Sequence, residues 1–435
     1  MSLFSKGVLG ASLVTLDEED ELFFALALAT QALQTRRVKW RHERKGWAEW
    51  STYLDHTRGW EPRYHMSKNS FNKLVEILRN QLAIDELQSL RSSGGSDPIS
   101  PEITVAAGLR FLGGTPVTSV ADVYHFSISS ARRVIDNFLV AVDENPTLKI
   151  RMPKTDEELW KITKGFDEIS GASGLYDGAV GALDGWLACT DKPGDVDNPT
   201  DYYSGHYQRF GINVQAICDV NLRFLYFAVC APGGCNDSRA LRKCTKLCKW
   251  IDTLPGDYYI IGDNAYALSN RLLIPFRGKK KRQPYKRTYN FYLSQLRIRI
   301  EMAFGRLTTK WRIFRRNLNF ASTKNSLICR VAARLHNYVI ETEDLNFLNQ
   351  NSLEGFGVER LIGGPGVSAN NNGYRNPLPS RHTDIESEAR RDGILNELIA
   401  RDLCRPEHNI LRNRDEPTEQ SGEEQSYCEE DVPEE

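Results

Sequence analysis

Several things are missing from this chain, and each absence closes off a class. Across its 435 residues no apolar run reaches the roughly 18 residues that a membrane-spanning helix needs, so no membrane partner is expected. The start, Met1 to Leu16, has neither the basic flank nor the sustained apolar centre of a secretory leader, so secretion is not expected either. No excess of either charge is present: 56 Lys and Arg stand against 57 Asp and Glu, a net charge of -1. That balance averages unlike parts, because the middle holds basic clusters while nothing basic follows Arg414. The nine cysteines are scattered and odd in number, which argues against a disulfide framework and for a reducing compartment. Cys230, Cys235, Cys244 and Cys248 cluster, but they form no CxxC pair and their spacing departs from that of structural zinc sites. A GxxxxGK[ST] loop, an HExxH helix and a GxSxG elbow are all absent, which excludes the nucleotide, metalloprotease and serine-hydrolase chemistries that rest on them.

What is present divides into four stretches: an N-terminal helical and basic segment over 1–60, a helical region over 61–150, an α/β region over 170–345, and a largely disordered remainder over 346–435. The first opens with acids, Asp17 to Glu21, running into an Ala/Leu-rich body that favours a helix. Its basic end, from Arg36 through Trp40, Trp47 and Trp50, suits either nucleic acid or a solvated helix face. In the last stretch, Asn/Gly/Pro-rich sequence reads as a linker, a short helix is expected near 383–402, and the acidic end reads as disordered.

In the helical region, Ser67 caps a helix whose apolar residues Phe71, Leu74, Leu78 and Leu82 recur at helical spacing. Ile103 to Phe111 forms another, stopped at Gly113-Gly114. Residues 117–135 then read as helix, turn at His125–Ser127, and a second helix capped by Ser127. That is the pattern of a helix-turn-helix, in which Ser129, Ser130, Arg132 and Arg133 could contact a major groove. An ordinary pair of core helices has the same pattern.

From about 175 the texture changes to strands. Residues 212–219 and 222–231 are β-rich and flank a turn at Val220-Asn221. A helix from Ser238 to about Trp250 precedes the apolar strand Tyr258 to Gly262, and long helices follow over 292–314 and 324–342. The order implies a mixed α/β sheet flanked by helices.

Three acids draw the eye. Asp184, in Leu183-Asp184-Gly185, and Asp263, in Ile261-Gly262-Asp263, each end an apolar strand. Glu301 sits mid-helix among Arg297, Arg299 and Arg306. A lone strand-end Asp commonly opens a turn, and Glu301 alone could be an i,i+4 partner of Arg297. Together, on two strands and a helix packed over them, such acids can hold two Mg²⁺ ions about 3.5–4 Å apart for phosphodiester cleavage. The surrounding Lys and Arg residues would hold a polyanionic backbone.

The stretches GALDGW (181–186), YYSGHYQRFGINVQAICDVNLRFLYFAVCAPGGCNDSRAL (202–241), IIGDNAYALSNRLLIPF (260–276) and RIRIEMAFGRLTTKWRIF (297–314) resemble, in order, the PIF/Harbinger transposases and the nucleases derived from them. The resemblance covers roughly 175–340, and the helical 65–150 region resembles the family's helix-turn-helix part. It implies a ribonuclease-H-like core over 170–345, preceded by an all-α helix-turn-helix region, with a DDE triad on Asp184, Asp263 and Glu301. It implies a Mg²⁺- or Mn²⁺-dependent endonuclease, with two ions, that cuts double-stranded DNA at transposon ends and joins them by strand transfer. A separate Myb-like DNA-binding partner, a homo-oligomer and a nuclear location, with a cytoplasmic pool before import, are implied as well. The alternative is a domesticated DNA-binding protein that keeps the fold without cutting. Lys279, Lys280, Lys281 and Arg282 read either as a nuclear localisation signal or as a DNA-contacting loop.

The chain departs from the family pattern in places. Asn236 stands where the motif usually has His, before Asp237; Asp237 either caps the helix that follows, the favoured reading, or sits near the metals. Trp186 and Leu187 stand where Thr and His often follow the first Asp-Gly.

Overall fold

The computed structural model describes residues 46–84, 98–278, 283–343 and 385–405. Lys279, Lys280, Lys281 and Arg282 lie outside the described residues, as do Asp17 to Glu21, Trp40, the Asn/Gly/Pro-rich linker and the whole acidic end after Arg414.

The helical region comprises α1 (Trp47–His56), α2 (Trp60–Tyr64), α3 (Lys68–Leu78), α4 (Pro101–Leu112), α5 (Val117–Tyr124) and α6 (Ile128–Glu144). Ser67 caps α3 as its sequence implies, its hydroxyl accepting from the Ser70 amide. Trp47 and Trp50 turn inward: Trp47 stacks on Phe71 with ring centroids 5.2 Å apart, and the Trp50 indole donates to the Tyr64 hydroxyl at 2.8 Å. These indoles serve packing, since an aromatic ring buries much apolar surface and its N–H finds a partner.

The α/β region starts with α7 (Asp156–Ile169). Its strands are β1 (Ala179–Cys189), β2 (Tyr203–Ser204), β3 (Arg209–Cys218), β4 (Phe224–Pro232), β5 (Tyr259–Gly262) and β6 (Leu272–Leu273). The sheet runs β4-β3-β1-β5-β6, with short β2 beside β3. The β4-β3-β1 half is antiparallel, and β1-β5-β6 is parallel. This is a mixed α/β sheet flanked by helices, the fold class expected from the sequence.

Between β4 and β5 the expected single helix is two, α8 (Asp237–Lys243) and α9 (Thr245–Asp252), because Cys244 leaves helical geometry at ψ 62°. The long helix α10 (Pro284–Lys310) begins earlier than its apolar stripe suggests, with Pro at its first position, where the missing N–H costs no hydrogen bond. It stops at Trp311 and a short 3-10 turn, Arg312–Arg315. Then come α11 (Ser322–Thr342) and, close to its expected place, α12 (Ile385–Ala400), which packs on α10.

Two clusters of apolar side chains cover the sheet. One face packs against α10 and α11, and its core continues into the helical region without a break, from Leu54 to Leu398. The other face packs under α8 and α9 through Val180, Leu183, Ile217 and Ile260. Polar ties reinforce the junction with the helical region. Arg330 forks onto Asp143 of α6 at 2.7–3.2 Å, and the Tyr338 hydroxyl donates to the Ser70 carbonyl at 2.5 Å.

Candidate active site

Side chains alternate between the faces of a strand, so β1 delivers different chemistry to each side. Ala182 and Ala188 lie in the core beneath α10 and α11, and Asp184 and Trp186 share their parity. Val180 and Leu183 lie in the opposite core. Trp186 packs on α10 and the 3-10 turn after it, its ring 5.8 Å from Phe304 and 5.1 Å from Phe314. The residue that departs from the family pattern thus forms an apolar wall next to Asp184.

Parallel pairing sets Leu183 opposite Gly262. One residue further along both strands stand Asp184 and Asp263, which therefore emerge side by side at the carboxyl end of the parallel pair. Ligands of open α/β sheets collect at that end. Asp263 accepts from the Ala265 amide at 2.8 Å, a turn that holds its carboxylate at the strand end. Glu301 reaches the same place from α10, where it pairs with Arg297 one turn earlier. The same guanidinium stands 3.5 Å from the Asp184 carboxylate. The expected i,i+4 pair is thus present, and its Arg297 also links Glu301 to Asp184.

The electrostatics follow from this placement. Burial pushes the Asp184 carboxyl up to about 8; Arg297 opposes the shift and the charge of Asp263 adds to it. Burial works to lower Arg297, but Glu301, Asp184 and Asp263 outweigh it and hold its pKa above the ordinary value. Three acids with one guanidinium leave net negative charge where water is scarce, a condition that draws a cation.

Asp237 is a correction to the sequence reading. It does not cap α8. The Asn236 side chain does, accepting from the Arg239 amide at 2.9 Å. Asp237 Oδ1 instead accepts from Asn213 Nδ2 at 2.9 Å and from Gln215 Nε2 at 3.1 Å, on β3. Gln215 Oε1 in turn accepts from the Tyr266 hydroxyl at 2.7 Å. A Cβ at Gly185 would stand 2.0 Å from Asp237 Oδ1, so the glycine is what lets this carboxylate lie against β1. Gly185 and Gln215 are register partners, which puts Asp237 on the sheet face opposite Asp184. Burial raises the Asp237 pKa, its two amide donors lower it, and Asp263 raises it further. A signal was there in the sequence: Asn213 and Gln215 are polar at alternate positions of an otherwise apolar strand, which calls for a polar partner on that one face.

The other expected contacts divide. In the helix-turn-helix, His125 takes the left-handed turn at φ 54°, and Ser127 caps α6 with its hydroxyl 3.1 Å from the Ser130 amide. Ser129, Arg132 and Arg133 are exposed and Ser130 is half-buried, while the reverse side of α6 is taken up by α4 and α11. Among the described residues no three His, Cys, Asp or Glu side chains, the cysteine cluster included, are grouped so as to hold a metal ion as they stand. That statement includes the three acids, which Arg297 separates. Their chemistry nonetheless fits a divalent ion, because carboxylate oxygens are its preferred donors and Asp184 lacks a full counter-charge.

Residues 183–337 match the family model described as DDE superfamily endonuclease. The chain is 25% identical over 300 residues to "Protein ALP1-like" of Arabidopsis thaliana, covering 65% of this chain and 71% of that protein. It is also 25% identical over 272 residues to "Putative nuclease HARBI1" of Rattus norvegicus, covering 62% of this chain and 73% of that protein. No solved structure gives a significant match.

Proposed function

We propose that this chain, whose residues 183–337 form a DDE superfamily endonuclease domain, is a divalent-metal-dependent DNA endonuclease acting through Asp184, Asp263 and Glu301. The observation that carries the reading is the pairing of Leu183 with Gly262, which sets two carboxylates side by side under the helix bearing the third. Asp184, Asp263 and Glu301 would hold the ion or ions, for which Mg²⁺ or Mn²⁺ is the proposed identity. When bound, a divalent ion supplies a Lewis acid and an activated water for phosphodiester hydrolysis.

The protein's own groups do the rest. Trp186 and Phe304 keep one side of the carboxylates dry, which strengthens every charge interaction there. Gly185, Asn213 and Gln215 seat Asp237 behind the strand, adding negative charge at Asp184 without occupying its face. Ser129, Arg132 and Arg133 are proposed to meet duplex DNA, and Lys279 to Arg282 either DNA or the nuclear import machinery. In the fuller reading, the 3′-hydroxyl released by hydrolysis attacks a second phosphodiester, joining transposon ends to target DNA. A nuclear location, a Myb-like partner and a homo-oligomer belong to that fuller reading.

One observation favours a second reading, DNA binding without cutting: Arg297 already partly neutralises Asp184 and Glu301. Nicking of supercoiled plasmid in Mg²⁺ or Mn²⁺ separates the two. Activity that disappears in Asp184→Asn, Asp263→Asn and Glu301→Gln supports the enzyme. Unchanged nicking in all three sinks the site, and DNA binding that survives chelation in a wild type that never nicks supports the second reading.

A further inference from the structure

An ordinary i,i+4 pair on a helix needs nothing beyond its own helix. Arg297 does more. From α10 it pairs with Glu301 and also reaches across to Asp184 on β1, so one guanidinium ties two elements at the point where the acids gather. It is not a solvated surface side chain, since 24% of it is exposed against 19% for each of its two partners. The nearby cation Arg277 is engaged elsewhere, donating to the Tyr266 carbonyl at 2.7 Å. Arg297 is therefore the group that compensates this pair of carboxylates, and among the described residues no three acids are grouped so as to hold a metal ion as they stand.

We propose that Arg297 is an internal cation that holds the metal-free site together and has to be displaced before a divalent ion can bind Asp184 and Glu301. The proposal rests on the reading of those acids as metal ligands. A guanidinium and a divalent ion cannot share the same carboxylate oxygens at close range, because like charges a few ångströms apart in a half-buried site repel strongly. Both carboxylates must give up the guanidinium to take the ion, so the folded protein carries its own competitor. Metal affinity is then set by how easily the Arg297 side chain swings off α10, and the free protein stays poorly loaded at low ion concentration.

The test is calorimetric titration of the full chain with Mn²⁺, without DNA, so that no cleavage is read. Arg297→Gln removes the charge and is expected to tighten the dissociation constant by about tenfold or more. Arg297→Lys keeps a cation on the same helical face and is expected to stay within about threefold of wild type. Adding Asp184→Asn to Arg297→Gln is expected to abolish the gain. Equal or weaker affinity in Arg297→Gln, with Mn²⁺ still binding to wild type, overturns the displacement alone. Absence of Mn²⁺ binding in both wild type and Arg297→Gln overturns the metal reading and this proposal with it. Thermal unfolding of each variant checks that the fold is kept.

Discussion

Two carboxylates lie back to back across one strand, and the protein treats them differently. Asp184, facing α10, is answered by a cation, Arg297, and keeps 19% of its side chain open. Asp237, beneath Gly185 on the other face, is answered by neutral amides, Asn213 and Gln215, backed by Tyr266. The neutral cradle is two amide hydrogen bonds, both to Asp237 Oδ1. The charged partner sits at the end of a long side chain from α10 and pairs with Glu301 as well. The difference separates a carboxylate answered by neutral hydrogen bonds from one answered by a charge.

That contrast can be broken by substitution. The largest effect belongs to the α10 face: Asp184→Asn or Glu301→Gln is expected to cut metal-dependent nicking by roughly 10³-fold or more, as loss of a group acting within a catalytic set does. On the opposite face Asp237→Asn is expected to cost about 10- to 100-fold, the range for groups that support ligands without touching the reacting atoms. A loss at Asp237 equal to that at Asp184 would erase the distinction. Gly185→Ala probes the seat itself. Its methyl group would meet Asp237 Oδ1, so a destabilisation of about 1–3 kcal/mol is expected in denaturant titrations, and Asp237→Ala should relieve part of it.

The smallest effect is in pH dependence. The folded pKa of Asp184, about 8, lies above its unfolded value near 4. The folded state therefore binds the proton more tightly, and this stabilising contribution is lost as pH rises from about 4 through 8. In metal-free protein, Asp184→Asn is expected to be more stable than wild type at pH 8 by about 1–2 kcal/mol, with the gain shrinking toward pH 4. Thermal unfolding at the two pH values checks the sign, and a gain that grows on acidification would contradict it.

Much of the fold was legible because local rules decide it. The Ser67 and Ser127 caps, the apolar stripe of α10 and the β-rich runs around Val220-Asn221 rest on neighbours a few residues apart, and each element is found close to where it was expected. Element ends were less legible. The helix expected from Ser238 to about Trp250 breaks at Cys244, and α10 starts at Pro284, ahead of its apolar stripe. Asp237 was misassigned because Asn236 and Asp237 are both good caps. Only the tertiary position of Asn213 and Gln215 shows which one is drawn away from the helix.

By itself the sequence determined the identities and order of the acids, the strands that carry two of them and the helix that carries the third. These follow from residue type and periodicity. The tertiary structure alone decided that Leu183 pairs with Gly262, that Trp186 walls one side of the site, that Asp237 lies behind Gly185, and that Arg297 bridges Asp184 to Glu301. The physical reason is distance along the chain. Charge interactions fall off within a few ångströms in space, and residues as far apart in sequence as Asp184 and Arg297 meet only once the sheet and α10 have packed.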